Sequence, residues 1–229
     1  MELREKILEG SQTMLGNEHP WTLLAVWILA RSYLGLGRYQ RAMELLEHGL
    51  EKNLGSEGPG TLSRMYALAA CYRHLGRQQE AMDLRAKTLE AMQRTLGSEH
   101  PDTLRTMASL ANSYSNLGRQ QEAMDLEEKT LEATQRTLGS EHPDTLLAMN
   151  NLALSYSRLG RHQEAYELSK KALEGRQRIL ASEHPHTLDS IETVAYCNYK
   201  LSKPNESDQQ AGKPESKLRR MFNRVLRSI

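Results

Sequence analysis

Three prolines, Pro101, Pro143 and Pro185, stand 42 residues apart, and the pairs Gly76-Arg77, Gly118-Arg119 and Gly160-Arg161 keep the same step. The stretch Leu96–Gly139, LGSEHPDTLRTMASLANSYSNLGRQQEAMDLEEKTLEATQRTLG, opens and closes on the same letters. A fixed period of about 20–50 residues means one supersecondary unit copied and stacked, each copy burying a face on its neighbours.

Within the unit the apolar spacing is helical. Met107, Leu110, Ala111 and Tyr114 fall at i, i+3, i+4 and i+7, one stripe of an amphipathic helix. Pro101 suits the first turn, where an N–H has no partner anyway, and His100 or Asp102 can cap it. Gly118 is placed to end this helix in a left-handed conformation. A second helix follows with Ala123, Leu126, Thr130 and Leu131 inward, and Gly139 closes it. Each unit is therefore a helix pair, A then B, with no strand pattern anywhere.

The series Leu110-Ala111-x2-Tyr114-x3-Gly118-x4-Ala123 resembles the tetratricopeptide repeat (TPR), and the 42-residue step with its LGxxHPDTL linker resembles the long-helix type of kinesin light chains. Similar arrays form the C-terminal sensor regions of fungal and bacterial NOD-like signalling ATPases. The resemblance implies an all-α, right-handed superhelical solenoid of antiparallel helix pairs, about five repeats long, that binds proteins and carries no catalysis or cofactor. The family's bulky aromatic mid-way along helix B is replaced here by Arg85, Glu127 and Ser169, so that face is expected to be more solvated.

Along the chain, the array covers residues 1–202. Residues 1–16 align with 124–139, so a half repeat (1–19) opens the chain on helix B. That is either a terminal cap or a piece of a longer chain, and the ordinary polarity of this stretch favours the second. Full repeats start near 20, 59, 101, 143 and 185, the first three residues short. Its helix A, WTLLAVWILARSYLGL, is apolar, but at 16 residues with Arg31 inside it is a core helix, short of the ~20 residues a membrane span needs. After Leu201 the register is lost. Residues 203–216 read as a polar linker broken by Pro204 and Gly212. Lys217–Ile229 then carries Leu218, Met221, Phe222, Val225, Leu226 and Ile229 as an apolar stripe opposite Lys217, Arg219, Arg220, Arg224 and Arg227. Such a basic amphipathic helix suits a membrane surface, a partner groove, or the open end of the array itself.

Composition narrows function further. An apolar share of 38% with one Phe and two Trp suits a stack better than a globular core, and a net charge of +1 offers no field for nucleic acid. Cys71 and Cys197 occupy one slot of helix A in different layers, so they are expected as free thiols of a cytoplasmic protein. His100, His142 and His184 repeat, but layers ~8–10 Å apart cannot bring them to one metal ion; they are cap residues. No phosphate loop and no nucleophile–base pair stands out.

A second stripe of helix A carries Arg105, Ala108, Asn112, Ser115 and Asn116. In TPR folds this stripe lines the concave groove, which the resemblance implies here. Carried across by register, the groove takes Trp27, Arg31 and Leu34, then Tyr66, Arg73 and His74. It continues with Asn150, Leu154 and Arg158, and ends on Asp189, Glu192, Tyr196, Tyr199 and Lys200. Its arginines favour an acidic, extended protein segment as partner, held by bidentate contacts with Asn112 and Asn150 on the backbone. A membrane surface is a partner only through Lys217–Ile229.

Overall fold

A computed structural model describes residues 2–51 and 58–203. Ten α-helices and no strand occur among them. The chain divides after Leu117 into two compact units. The first holds α1 (Glu2–Leu15), α2 (Pro20–Gly35), α3 (Tyr39–Glu51), α4 (Pro59–His74), α5 (Gln78–Thr95) and α6 (Pro101–Asn116). The second holds α7 (Gln120–Leu138), α8 (Pro143–Arg158), α9 (His162–Ile179) and α10 (Pro185–Ser202). Even-numbered helices are the A helices of the repeat and odd-numbered ones the B helices. The linker beyond Lys203 and the helix expected over Lys217–Ile229 lie outside the described residues.

Helix starts follow the linker chemistry. A proline occupies the first turn of α2, α4, α6, α8 and α10. Before four of them a histidine caps: Nδ1 of His19, His100, His142 and His184 accepts the N–H two residues on, each at 3.2 Å. A ring nitrogen thus stands in for the usual Ser or Asp oxygen. Helix A ends at the Gly-Arg pair, where Gly76 (φ 80°) and Gly160 (φ 81°) take the left-handed turn that a Cβ would strain.

Packing is between sequence neighbours. In the first unit Leu8, Val26, Leu29, Leu46, Leu68 and Cys71 form one buried cluster drawn from α1 to α4. Leu62 of α4 packs on Ala91 and Met92 of α5. In the second unit Met124 and Leu131 of α7 meet Leu146, Met149 and Leu152 of α8. Leu173 of α9 meets Ile191 and Val194 of α10. Each fully buried Leu or Ile contributes about 1.5–3 kcal/mol, so a stack of small clusters holds without one large core.

The mid-helix-B slot departs from expectation. Arg85, Glu127 and Ser169 are not solvated; they are 6%, 5% and 0% exposed. The physical reason is a small partner in the following helix A. Arg85 Nη1 donates to Ser113 Oγ at 2.5 Å, and Ser155 and Cys197 hold the corresponding places for Glu127 and Ser169. A small residue opposite leaves room for a polar chain where an aromatic would fill the space. Burial holds the Arg85 guanidinium below its usual range and pushes the Glu127 carboxyl above its own, with Ser155 and Arg158 opposing the latter.

Candidate protein-binding surface

Successive A helices are tied by one repeated contact. Tyr66 of α4 and Ser109 of α6 share a hydroxyl hydrogen bond at 3.0 Å. In the second unit Asn150 Nδ2 of α8 donates to Thr193 Oγ1 of α10 at 2.9 Å. Both pairs span 43 residues, so they occupy the same register. This places Asn150 inside the helix-A seam. It is buried, and its Oδ1 also accepts from Ser190 Oγ at 3.4 Å, so its amide is used within the fold rather than presented at a surface.

Lys200 of the expected groove is buried as well, because α10 packs that side of its last turn inward, while the other groove residues lie at or near the surface. In the first unit Arg31 is exposed over the half-buried ring of Trp27, 5.9 Å from its centroid. Tyr66 is 36% exposed. Half-buried Arg73 donates from Nη2 to Nε2 of His74 at 2.7 Å, and the His74 ring stacks on Tyr39 at 4.0 Å. Asn112 and Asn116 are exposed. Arg105 is exposed as well but pairs with Asp102 one turn earlier. In the second unit Arg158 is exposed and Leu154, Tyr196 and Tyr199 are half-buried. Lys200 lies over Tyr196 at 6.0 Å, and Lys203 over Tyr199 at 6.0 Å.

One basic neighbourhood forms that the stripe alone does not reveal. The His74 imidazole is held below its usual range by burial first, then by Arg73 and Arg85. Arg85, on helix B, reaches the same electrostatic environment as Arg73 on helix A. The signal for Arg85 was present as a cation in an aromatic slot. His100, His142 and His184 spend Nδ1 on their caps, which is the role the linker pattern predicts. Among the described residues, no helix is long and apolar enough to cross a membrane, and α2 is a packed helix with Val26, Leu29 and Ala30 buried.

The profile of the tetratricopeptide repeat family matches residues 60–136, 128–177 and 144–211, and a second profile of that repeat matches residues 28–57. The chain belongs to the TPR family. It is similar to a Podosopora anserina protein described as a kinesin light chain with nearly identical TPR-like repeats, at 34% identity and TM-score 0.70, covering 91% of this chain and 98% of that one. It shares its fold with BtubC (BKLC) of P. vanneervenii, at 16% identity and TM-score 0.73 over 97% of this chain and 90% of that one. The apo form of RapI has the fold too, at 14% identity and TM-score 0.71 over 89% of this chain and 55% of RapI. No curated protein matches the chain. The repeats are thus of the kinesin-light-chain-like type, and a TPR array of this kind is a protein-interaction scaffold.

Proposed function

We propose that this scaffold is non-catalytic and grips an extended, acidic protein segment along its A helices. The observation that carries the reading is the run of cations on three successive A helices of the first unit: Arg31 on α2, Arg73 on α4 and Arg105 on α6. Among the described residues the Arg73 guanidinium hydrogen-bonds to His74 and to no carboxylate, and the buried Arg85 adds a second guanidinium beside it that bonds to Ser113. A glutamate or aspartate side chain would supply that missing counter-charge, in the bidentate geometry that guanidinium favours. Tyr66 and Trp27 alongside are amphipathic anchors of the kind that dominate interfaces, and exposed Asn112 and Asn116 are free to pair with a peptide backbone.

The test uses a fluorescein-labelled deca-glutamate peptide and the whole chain at low salt. Saturable binding is expected, weakened about tenfold (~1.4 kcal/mol) by Arg31→Glu with Arg73→Glu. Added salt should weaken it in proportion to the charges engaged. Affinity unchanged in that double variant rejects the surface as the binding site.

A further inference from the structure

The guanidinium of Arg85 is buried with little to answer its charge. It springs from helix B, yet it lies in the seam between two A helices: Nη1 donates to Ser113 Oγ of α6, and Tyr66 and Arg73 of α4 act on it electrostatically. The residue is 6% exposed, and its Nε has no hydrogen-bond partner among the described residues. Arg176, also buried, is answered by the His186 carbonyl and the Ser190 hydroxyl, and Asp189 supports its charge.

A second guanidinium stands beside it. Arg73, half-buried in the last turn of α4, donates to Nε2 of His74 and, like Arg85, bonds to no carboxylate among the described residues. The His74 ring is stacked on Tyr39 at 4.0 Å and is neutral at neutral pH, since burial, then Arg73 and Arg85, hold it below its usual range. Tyr66 is 36% exposed, so with Arg73 it brings the seam to the surface. The place therefore carries two positive charges and no negative one.

The pairing is built in one layer. At the 42-residue step Arg73 becomes Ser115 and Ser157, while Arg85 becomes Glu127 and Ser169; in the first repeat the same slots hold Leu34 and Leu46. The other layers thus fold without a cation in either slot. A buried charge that lacks a counter-ion is costly to the fold. Arg85 is not there to hold the layers together.

We propose that Arg73 and Arg85 form a site for a phosphorylated serine or threonine of the partner's extended segment, both guanidiniums donating to the phosphate oxygens. The inference rests on the reading that an acidic segment lies along the A helices, and names what that segment carries at this layer. A carboxylate brings one negative charge and two oxygens, enough for one guanidinium fork. A phosphomonoester brings about −1.5 to −2 charges at neutral pH and three acceptor oxygens, which answers both forks. A free phosphate has the same chemistry. The segment is the better occupant because Asn112, exposed beside Ser113, and Tyr66 offer contacts that only its flanking residues reach.

The probes are two fluorescein-labelled peptides, deca-glutamate and the same peptide with phosphoserine at its fifth position, titrated into the whole chain at about 0.15 M salt. The phosphopeptide is expected to bind about tenfold tighter. Arg85→Met, which fills similar space without charge, and Arg73→Gln should each bring the two affinities to within about twofold of one another. Arg31→Glu should weaken both peptides alike and keep their ratio, so that the extra charge alone does not explain the preference. Circular dichroism verifies the helix content of each variant, and Arg73→Gln decides if Arg85→Met does not fold. Equal affinities in the unmodified chain, or a preference that survives either substitution in a folded variant, overturns the site and leaves the acidic-segment reading standing. Binding of neither peptide overturns both. Inorganic phosphate that raises the unfolding temperature as much as the phosphopeptide does at equal concentration also overturns the proposal, since the occupant is then a free phosphate.

Discussion

Arg77 lies over the ring of Tyr72 with its guanidinium carbon 4.2 Å from the centroid. The phenol beneath donates to Glu47 Oε1 at 2.8 Å, and Arg77 Nε donates to Glu80 at 2.7 Å. The second unit repeats the arrangement: Arg161 sits 4.0 Å from the Tyr156 centroid, Tyr156 donates to Glu128 at 2.8 Å, and Arg161 Nε donates to Glu164 at 2.8 Å. Both guanidiniums also reach a methionine sulfur of the preceding helix B, Met43 or Met124. The Gly-Arg repeat is therefore a seam: glycine turns the chain, and arginine pins helix A to the helices on either side. Tyr72→Phe removes the donor while keeping the ring. The expected loss is about 1.5 kcal/mol, the low end for a hydrogen bond to a charged partner because the site is only half-buried. Urea unfolding measures it, with an unchanged slope showing that only stability moved.

The same seam sets an alkaline response. Burial, then the hydrogen bond to a carboxylate, raises the phenols of Tyr72 and Tyr156 to about 12. A phenol raised in the folded state contributes stability that is complete below its unfolded value of 10.0 and lost as pH climbs to the folded one. Stability should fall between about pH 10 and 12. Absorbance at the phenolate band is expected to show these two tyrosines still protonated at about pH 11, with Tyr72→Phe and Tyr156→Phe each removing one late-titrating group.

The period was legible because it is carried by backbone chemistry. Proline at the first turn, the histidine cap and glycine at the last turn act locally, so Pro101, His100 and Gly118 read correctly without any knowledge of neighbours. What a side chain meets in the next layer is not local. Asn150 looks like a surface amide from its own helix, and only the position of Thr193 shows that it is buried. Arg85 and Glu127 look solvated because charge predicts exposure, yet Ser113 and Ser155 leave the space that takes them in. The basic neighbourhood at Arg73 was half legible for the same reason: its helix-A member follows the stripe, while its helix-B member breaks a pattern.

Glu127 is a buried carboxyl on helix B. It is 5% exposed, and its Oε2 has no hydrogen-bond partner among the described residues. Burial raises the carboxyl, so the folded state resists ionisation: stability is complete below the usual carboxylate range and declines as pH rises through the folded value. Glu127→Gln removes the charge and keeps the shape. It is expected to stabilise the chain by about 1 kcal/mol at pH 7, with the gain vanishing near pH 4 where both forms are neutral. Thermal unfolding of the two proteins across that range tests it; a variant that is less stable at pH 7 would show that Arg158 outweighs the burial.

Two glycines at one register position should respond in opposite directions to the same change. Gly175 and Gly10 both lie inside helices, where Ala is favoured by about 0.5–1 kcal/mol. At Gly10 a Cβ meets nothing within 4 Å, so Gly10→Ala is expected to stabilise the chain by that amount. At Gly175 the Cβ lands 2.4, 3.2 and 3.4 Å from three atoms of Leu146, a side chain only 1% exposed and unable to swing into water. Overpacking there costs about 1–3 kcal/mol, which exceeds the helix gain, so Gly175→Ala should destabilise. Leu146→Ala in the same chain opens the space, and the two changes together should cost less than their sum. Denaturant midpoints for Gly10→Ala, Gly175→Ala and the double variant settle the matter: equal shifts at the two glycines would mean that α8 does not approach α9 as closely as Gly175 implies.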